Sequence, residues 1–299
     1  NADLFWKNLE DLAKMAHELD PNHPVCTAMS TSSQTKLSNL AKYCPDVDVV
    51  MINCYLPNLP GVQTNIDAKW SKPYIISEFG PRGTWQIPDS DARKLPWKDG
   101  YSATSYALVE QTSTQKAADY ADCYNNYIKP NESKGCIGSF VFLWGYQTHG
   151  QVLGWYGLQY RNGYAFAAAD EMQKCWTGEY PKYKAPVINN RSDCKMNNKR
   201  ADDVVYTTVG ADNTAYVTAT SPSNAPLRYY WLIVSENDAH DVPEGADVEI
   251  KGLITDNTLQ TISFKSPSNV GAYRLVALVF DDAHKKVASA VIPFYVKSK

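Results

Sequence analysis

A carboxylate that closes an apolar strand is the first residue in this sequence that invites chemistry. Glu78 ends the run Lys72-Pro-Tyr-Ile-Ile-Ser-Glu78 and is followed by Phe79-Gly80-Pro81-Arg82-Gly83. The run is too short and too apolar for a surface helix and reads as a buried strand. In parallel β/α folds the carboxyl ends of strands face the active site. The small residues after Glu78 let the backbone turn sharply there. A carboxylate so placed can act as nucleophile or as general acid and base. The structural alternative is a strand-end glutamate paired with Arg82 or capping a loop. Two other apolar runs also end in functional-looking side chains: Val47 to Tyr55, and Gly138-Ser-Phe-Val-Phe-Leu-Trp144-Gly145. Tyr55 could donate a hydrogen bond to a carboxylate, and Trp144 offers a flat ring on which a sugar face can lie. Ordinary strand packing remains the alternative for both. Asn53 is read as pointing to the opposite side of its strand from the neighbours of Tyr55, and carries little weight as a ligand.

The elements that must position these residues come in two styles. Residues 1–180 alternate helix and strand patterns. Phe5, Leu9, Leu12, Ala16 and Leu19 form one apolar stripe on a first helix, which Asp20-Pro21 ends. Val25 to Met29 reads as a strand and Thr35 to Cys44 as a helix. The runs ending in Tyr55, Glu78 and Trp144 follow, with helices near Thr114 to Lys129 and Tyr164 to Trp176. The helix after Tyr55 is poorly marked. A long polar and aromatic segment, 81–111, carries Trp85, Trp97, Tyr101 and Tyr106, and loops of that length are usually functional or disordered. Residues 181–200 read as a linker. Beyond 201 the period changes to alternation, giving seven strands: Val204 to Val209, Ala215 to Thr220, Leu227 to Val234, Ala246 to Ile250, Thr258 to Phe264, Tyr273 to Phe280 and Ala288 to Val296. Seven short strands in about a hundred residues suggest an immunoglobulin-like sandwich over 201–299, with Trp231 and Tyr273 in its core. That domain is expected to pack against or space the first one, with Tyr229 or Tyr230 as optional sugar contacts.

Composition removes several function classes. The net charge of −3 offers no basic surface for nucleic acid or anionic membrane. No run approaches the ~18 apolar residues of a membrane span. The 7 cysteines include no CxxC pair, and their odd number favours buried thiols over a full disulfide framework. No Gly-x-Ser-x-Gly, HExxH or phosphate-binding glycine loop is present, so no metal or other cofactor is implied. The chain carries 8 Trp and 20 Tyr, a composition shared by sugar-binding clefts and large cores. It starts at Asn1 with no signal-peptide pattern and reads as a processed or trimmed product.

Residues 72–80, Lys-Pro-Tyr-Ile-Ile-Ser-Glu-Phe-Gly, resemble the seventh-strand nucleophile segment of clan A retaining glycoside hydrolases, which are (β/α)8 barrels. Ile52-Asn-Cys-Tyr55 resembles their sixth strand, whose terminal Tyr in many members hydrogen-bonds the nucleophile. Phe140-Val-Phe-Leu-Trp144 resembles the eighth, whose Trp floors the sugar subsite beside the broken bond. Leu12-Ala-Lys with Leu19-Asp-Pro-Asn-His-Pro24 resembles the helix leading into the fifth strand. The resemblance covers about residues 1–180 and implies strands five to eight of a TIM barrel. It implies a retaining β-glycosidase acting on a β-linked polysaccharide or oligosaccharide, with laminarin-type β-glucan and endo action as the specific expectation. Glu78 would be the nucleophile, Tyr55 would aim it, and Trp144, Trp85, Trp97 and Trp155 would form the sugar-binding walls, with His149 a further hydroxyl partner.

The acid/base glutamate of such enzymes sits at the end of strand four, which this alignment places outside the chain. Glu110, in the loop after strand seven, is the in-chain substitute that suggests itself. Four parallel strands cannot close an ordinary barrel, so Val49, Met51, Ile75 and Phe140 are expected to lack partners. The expected partner is the missing N-terminal barrel half, as a separate chain or another copy. The competing reading is a non-catalytic carbohydrate-binding or scaffold fragment. Secretion or a cell-envelope location follows from the substrate class alone.

Overall fold

The computed structural model describes residues 2–86, 94–96, 106–146, 154–203, 205–236 and 248–299. The chain forms two compact units, Asn1–Gly83 with Asp122–Phe142, and Thr84–Ala121 with Leu143–Lys299. Neither boundary coincides with the divisions at 180 and 201 read from the sequence.

The first unit holds helices α1 (Ala2–Leu19), α2 (Gln34–Tyr43) and α3 (Val62–Lys69) and strands β1 (Cys26–Met29), β2 (Val49–Asn53) and β3 (Tyr74–Phe79). A short hairpin of β4 (Lys94–Pro96) and β5 (Tyr106–Leu108) belongs to the second unit, and β6 (Cys136–Val141) returns to the first. The sheet order is β1-β2-β3-β6 and every pairing is parallel. Strands that neighbour one another in chain order, joined by right-handed crossovers, place all their connections on one face. The two faces differ accordingly. Val50, Ile52, Tyr74, Ile76 and Phe79 are buried, whereas Met51, Asn53, Ile75, Ser77 and Glu78 are only half-buried. Among the described residues β1 and β6 each pair on one side only, and the sheet does not close into a barrel. Phe140 is exposed as expected, but Val49 is buried.

Helix α1 corrects the sequence reading. Its buried residues are Trp6, Glu10 and Ala13, while the predicted core stripe faces outward: Phe5 is 61%, Leu12 57% and Leu19 79% exposed. The stripe is apolar as predicted, and only its Leu9 and Ala16 are half-buried. Helix α4 (Ser113–Asp122) is shorter than the expected 114–129. It runs into a π-helical turn over Cys123–Ile128 and a tighter one over Lys129–Lys134. Pro130 has no N–H to continue an α-helical ladder, and Gly135, at φ +97°, ends the segment. Six of the seven cysteines are buried free thiols, and Cys26 is an exposed one.

The second unit contains β7 (Gln159–Tyr160), β8 (Tyr164–Ala165), α5 (Ala167–Thr177), β9 (Cys194–Met196), β10 (Lys199–Arg200), β11 (Val205–Thr208), β12 (Asp212–Val217), β13 (Arg228–Ser235), β14 (Thr261–Lys265), β15 (Gly271–Asp281) and β16 (Lys286–Lys297). One sheet runs β10-β9-β12-β14. The other runs β13-β15-β16-β8-β7, with β11 pairing β16. Trp231, Ile233, Leu275 and Phe294 of the second sheet share a core with Met196, Val217, Ile262 and Phe264 of the first. The expected linker therefore contributes two strands, and β9 pairs with β12 because Cys194 and Met196 alternate inward. Residues 248–250 of the expected strand Ala246 to Ile250 form none, and 246–247 lie outside the described residues. Strand β8 falls where a closing helix was expected to begin, and α5 starts only at Ala167.

Four charged side chains are sunk into this unit together. Arg274 donates from Nη1 to Glu110 Oε2 at 3.2 Å and from Nη2 to Glu236 Oε1 at 2.9 Å, and Lys116 donates to Glu110 Oε1. All four are buried. Removing one member of such a group leaves an uncompensated charge in a poorly hydrated site. Glu110→Ala should therefore lower the unfolding free energy in urea by about 3–5 kcal/mol. Lys265→Ala, which breaks the exposed pair with Asp212 at 2.7 Å, should cost no more than about 1 kcal/mol.

Candidate active site around Glu78

The register of β3 decides where Glu78 points. Against β2, Ile76 pairs with Ile52 and Glu78 with Asn53; against β6, Ile76 pairs with Ser139 and Phe79 with Val141. Both ladders give β3 one residue too many between Ile76 and Phe79, which is a β-bulge. Strict alternation would send Glu78 to the face of Tyr74 and Ile76. The extra residue shifts the parity, so that Phe79 takes the buried position and Glu78 turns to the half-exposed face.

On that face each carboxylate oxygen of Glu78 accepts a hydrogen bond. Tyr55 Oη donates to Oε2 at 2.5 Å and Asn53 Nδ2 donates to Oε1 at 2.8 Å. Ser77 Oγ donates to Asn53 Oδ1 at 2.6 Å, which fixes the amide with its NH2 toward the carboxylate. The Tyr55 ring is buried and meets Phe142 edge-on at 6.0 Å. Cys54 N donates to Glu78 O at 2.8 Å and ties the two strand ends together. Burial pushes the Cys54 thiol up to about 12, so it is no competing nucleophile at neutral pH. A polar cavity of about 240 Å³ opens beyond β1 and β2, lined by Thr31, Ser32, Ser33, Cys54, Asn58 and Asn65. A carboxylate clamped on both oxygens and left partly open is held in aim for attack, or for proton transfer, without reorganisation.

No family model matches the sequence, and no curated protein matches it. Among solved structures the chain is similar to a β-glucuronidase of Bacteroides uniformis, at TM-score 0.37 and 16% identity over 97% of this chain and 30% of that one. It is also similar to a β-glucuronidase of Parabacteroides merdae (TM-score 0.34, 13% identity, 100% and 34% covered). An α-L-arabinofuranosidase of Thermotoga maritima gives TM-score 0.38 and 9% identity, with 99% and 62% covered. The chain thus spans about a third of the length of the β-glucuronidases.

Of the residues singled out in the sequence, the structure brings together Glu78 and Tyr55. Asn53 was set aside there, and its place beside Glu78 is a correction. Residues 53 and 55 differ by two and so share a face of one strand, a signal that was present in the sequence. Ser77, not singled out in the sequence, lies on this face by ordinary alternation from Ile76. Trp85, Trp144 and Trp155 belong to the second unit. Trp144 is 60% exposed, and Trp85, also exposed, lies 6.3 Å from Tyr156. Trp155 is no open wall: it is 4% exposed, with Lys116 Nζ 5.4 Å above its ring. Glu110 is committed to Arg274 and Lys116 rather than presented as an acid/base. Trp97, Tyr101 and His149 lie outside the described residues, as does the side chain of Tyr106. Among the described residues no cluster of His, Cys, Asp and Glu is placed to hold a metal ion, and no helix is long and apolar enough to cross a membrane.

The relay from Ser77 through Asn53 makes a specific energetic prediction. Ser77→Ala and Asn53→Ala, alone and combined, should show a coupling of about 0.5–1.5 kcal/mol in urea unfolding, because both touch one amide. Additive effects would mean that Ser77 does not orient Asn53.

Proposed function

We propose that this chain supplies the nucleophile side of a retaining β-glycoside hydrolase acting on a β-linked polysaccharide or oligosaccharide. The observation that carries the reading is the two-donor clamp of Tyr55 and Asn53 on Glu78 at the carboxyl end of a parallel strand. In this mechanism Glu78 attacks the anomeric carbon, the glycosidic C–O bond breaks, and the sugar is held as an ester on the carboxylate. An acid/base glutamate supplied from outside this chain, about 5–5.5 Å from Glu78, protonates the departing oxygen. It then removes a proton from the water that cleaves the ester and releases the sugar with its configuration retained. Tyr55 and Asn53 hold the attacking carboxylate in line. Laminarin-type β-glucan and endo action are the specific substrate proposal, and secretion or the cell envelope is the matching location.

Strands β1, β2, β3 and β6 are proposed as strands five to eight of a TIM barrel. Helices confined to one face, open strand edges at β1 and β6, and the uncovered stripe of Phe5, Leu12 and Leu19 support completion by the other barrel half. That half would come from a separate chain or another copy. The second reading, a non-catalytic carbohydrate-binding or scaffold fragment, draws on Glu110: the one in-chain substitute for the acid/base is bound into an ion cluster.

A dinitrophenyl leaving group needs no proton to depart, so it separates the two readings without the missing acid. Incubation with a dinitrophenyl 2-fluoro-β-glycoside should add one sugar to the intact mass, with the label mapped to Glu78. Glu78→Gln should abolish labelling, and turnover of the completed enzyme should fall by about three orders of magnitude or more. No adduct on a well-folded chain would favour the scaffold reading.

A further inference from the structure

The second unit contains a cavity of about 520 Å³, within the usual range for small-molecule sites. Its floor is the outer face of the sheet β13-β15-β16, which is unusually apolar. In a sandwich the inward residues alternate with polar outward ones. Here Trp231, Ile233, Leu275 and Ala277 fill the core. The residues between them, Leu232, Val234, Val276 and Leu278, are apolar as well and line the cavity. The register sets Leu232, Val276 and Val291 side by side across three strands as a flat aliphatic floor.

The walls add aromatic rings and hydroxyls. Tyr146 and Tyr160 meet edge to face at 5.0 Å, and both line the cavity with Phe166 and Tyr230. Tyr230 Oη donates to Glu249 at 2.6 Å. Neither Tyr146 nor Tyr160 makes a hydrogen bond through its hydroxyl among the described residues. Burial raises the Tyr146 phenol, which therefore keeps its proton and can both donate and accept. At one end Arg274 and Glu110 line the cavity already paired with each other, and Arg161, Glu249 and Lys251 line its rim as well, so the aliphatic floor itself carries no charge.

We propose that this cavity binds a neutral, planar aromatic alcohol, its ring laid on Leu232, Val276 and Val291 and its hydroxyl bonded to Tyr146 or Tyr160. A sugar fits less well, because an aliphatic floor would strip water from hydroxyls and give them no partner. The site lies wholly in the second unit and does not depend on the chemistry of Glu78.

The test is calorimetric titration of the full chain with β-naphthol and, separately, with β-methylnaphthalene, which has the same rings without the hydroxyl. β-Naphthol should bind saturably, one molecule per chain, with a negative heat-capacity change. It should bind about tenfold more tightly than β-methylnaphthalene, the worth of roughly one hydrogen bond. Val276→Phe, which fills the floor, should abolish binding of both compounds. Tyr146→Phe combined with Tyr160→Phe should erase the tenfold preference while leaving the binding of β-methylnaphthalene intact. Should Val276→Phe fail to fold, the tyrosine pair decides alone. Absence of saturable β-naphthol binding, or a preference unchanged by the tyrosine substitutions, overturns the proposal.

Discussion

Between Ile76 and Phe79, strand β3 carries one residue more than either neighbour has to match it. A carboxylate in register with Ile76 would lie on the buried face among Val50, Ile52 and Tyr74, where an unpaired charge costs far more than a strand can recover. The bulge moves Glu78 to the open face, beside Ser77, which alternation from Ile76 already places there and whose hydroxyl fixes the Asn53 amide. Tyr55, two residues past the end of β2, reaches the other oxygen. Position, hydrogen bonding and access of the carboxylate thus all follow from one local departure from alternation.

That departure also marks the limit of what the sequence could tell. Glu78 and Tyr55 were legible because each closes an apolar run, and a polar group there stands out against its surroundings. The bulge was not legible, since no glycine or proline between Ile76 and Phe79 announces it. Asn53 was legible in principle from the period of two. The α1 stripe was found by its spacing, but spacing shows only that a helix has an apolar face, not which neighbour covers it. The strand at Cys194 to Met196 escaped because three residues are too few to show alternation. Trp155 illustrates a different limit: an aromatic residue in a loop has the same sequence signal whether it lines a cleft or fills a core.

The second unit is organised by a different constraint. A sheet that is apolar on both faces fixes its register weakly, because slipping by one residue exchanges one apolar face for another. Arg274 and Asp281 are the buried charges on β15, and the bonds of Arg274 to Glu110 and Glu236 tie that strand to its observed register. The buried ion cluster supplies the specificity that hydrophobic patterning alone leaves open.

Those same bonds span much of the chain. Glu110 meets Arg274 across 164 positions, and Ser113 Oγ accepts from the backbone N–H of Ser289 across 176. Residues 122–142, which belong to the first unit, are threaded between the two stretches that build the second. Contacts so distant in sequence close slowly, because loop entropy is lost before they form. Strand β15 is therefore needed to bury charges made more than 150 residues earlier. Neither unit can be excised by a single cut, and a chain ended near residue 180 would keep Lys116 and Glu110 while losing the guanidinium that completes their cluster.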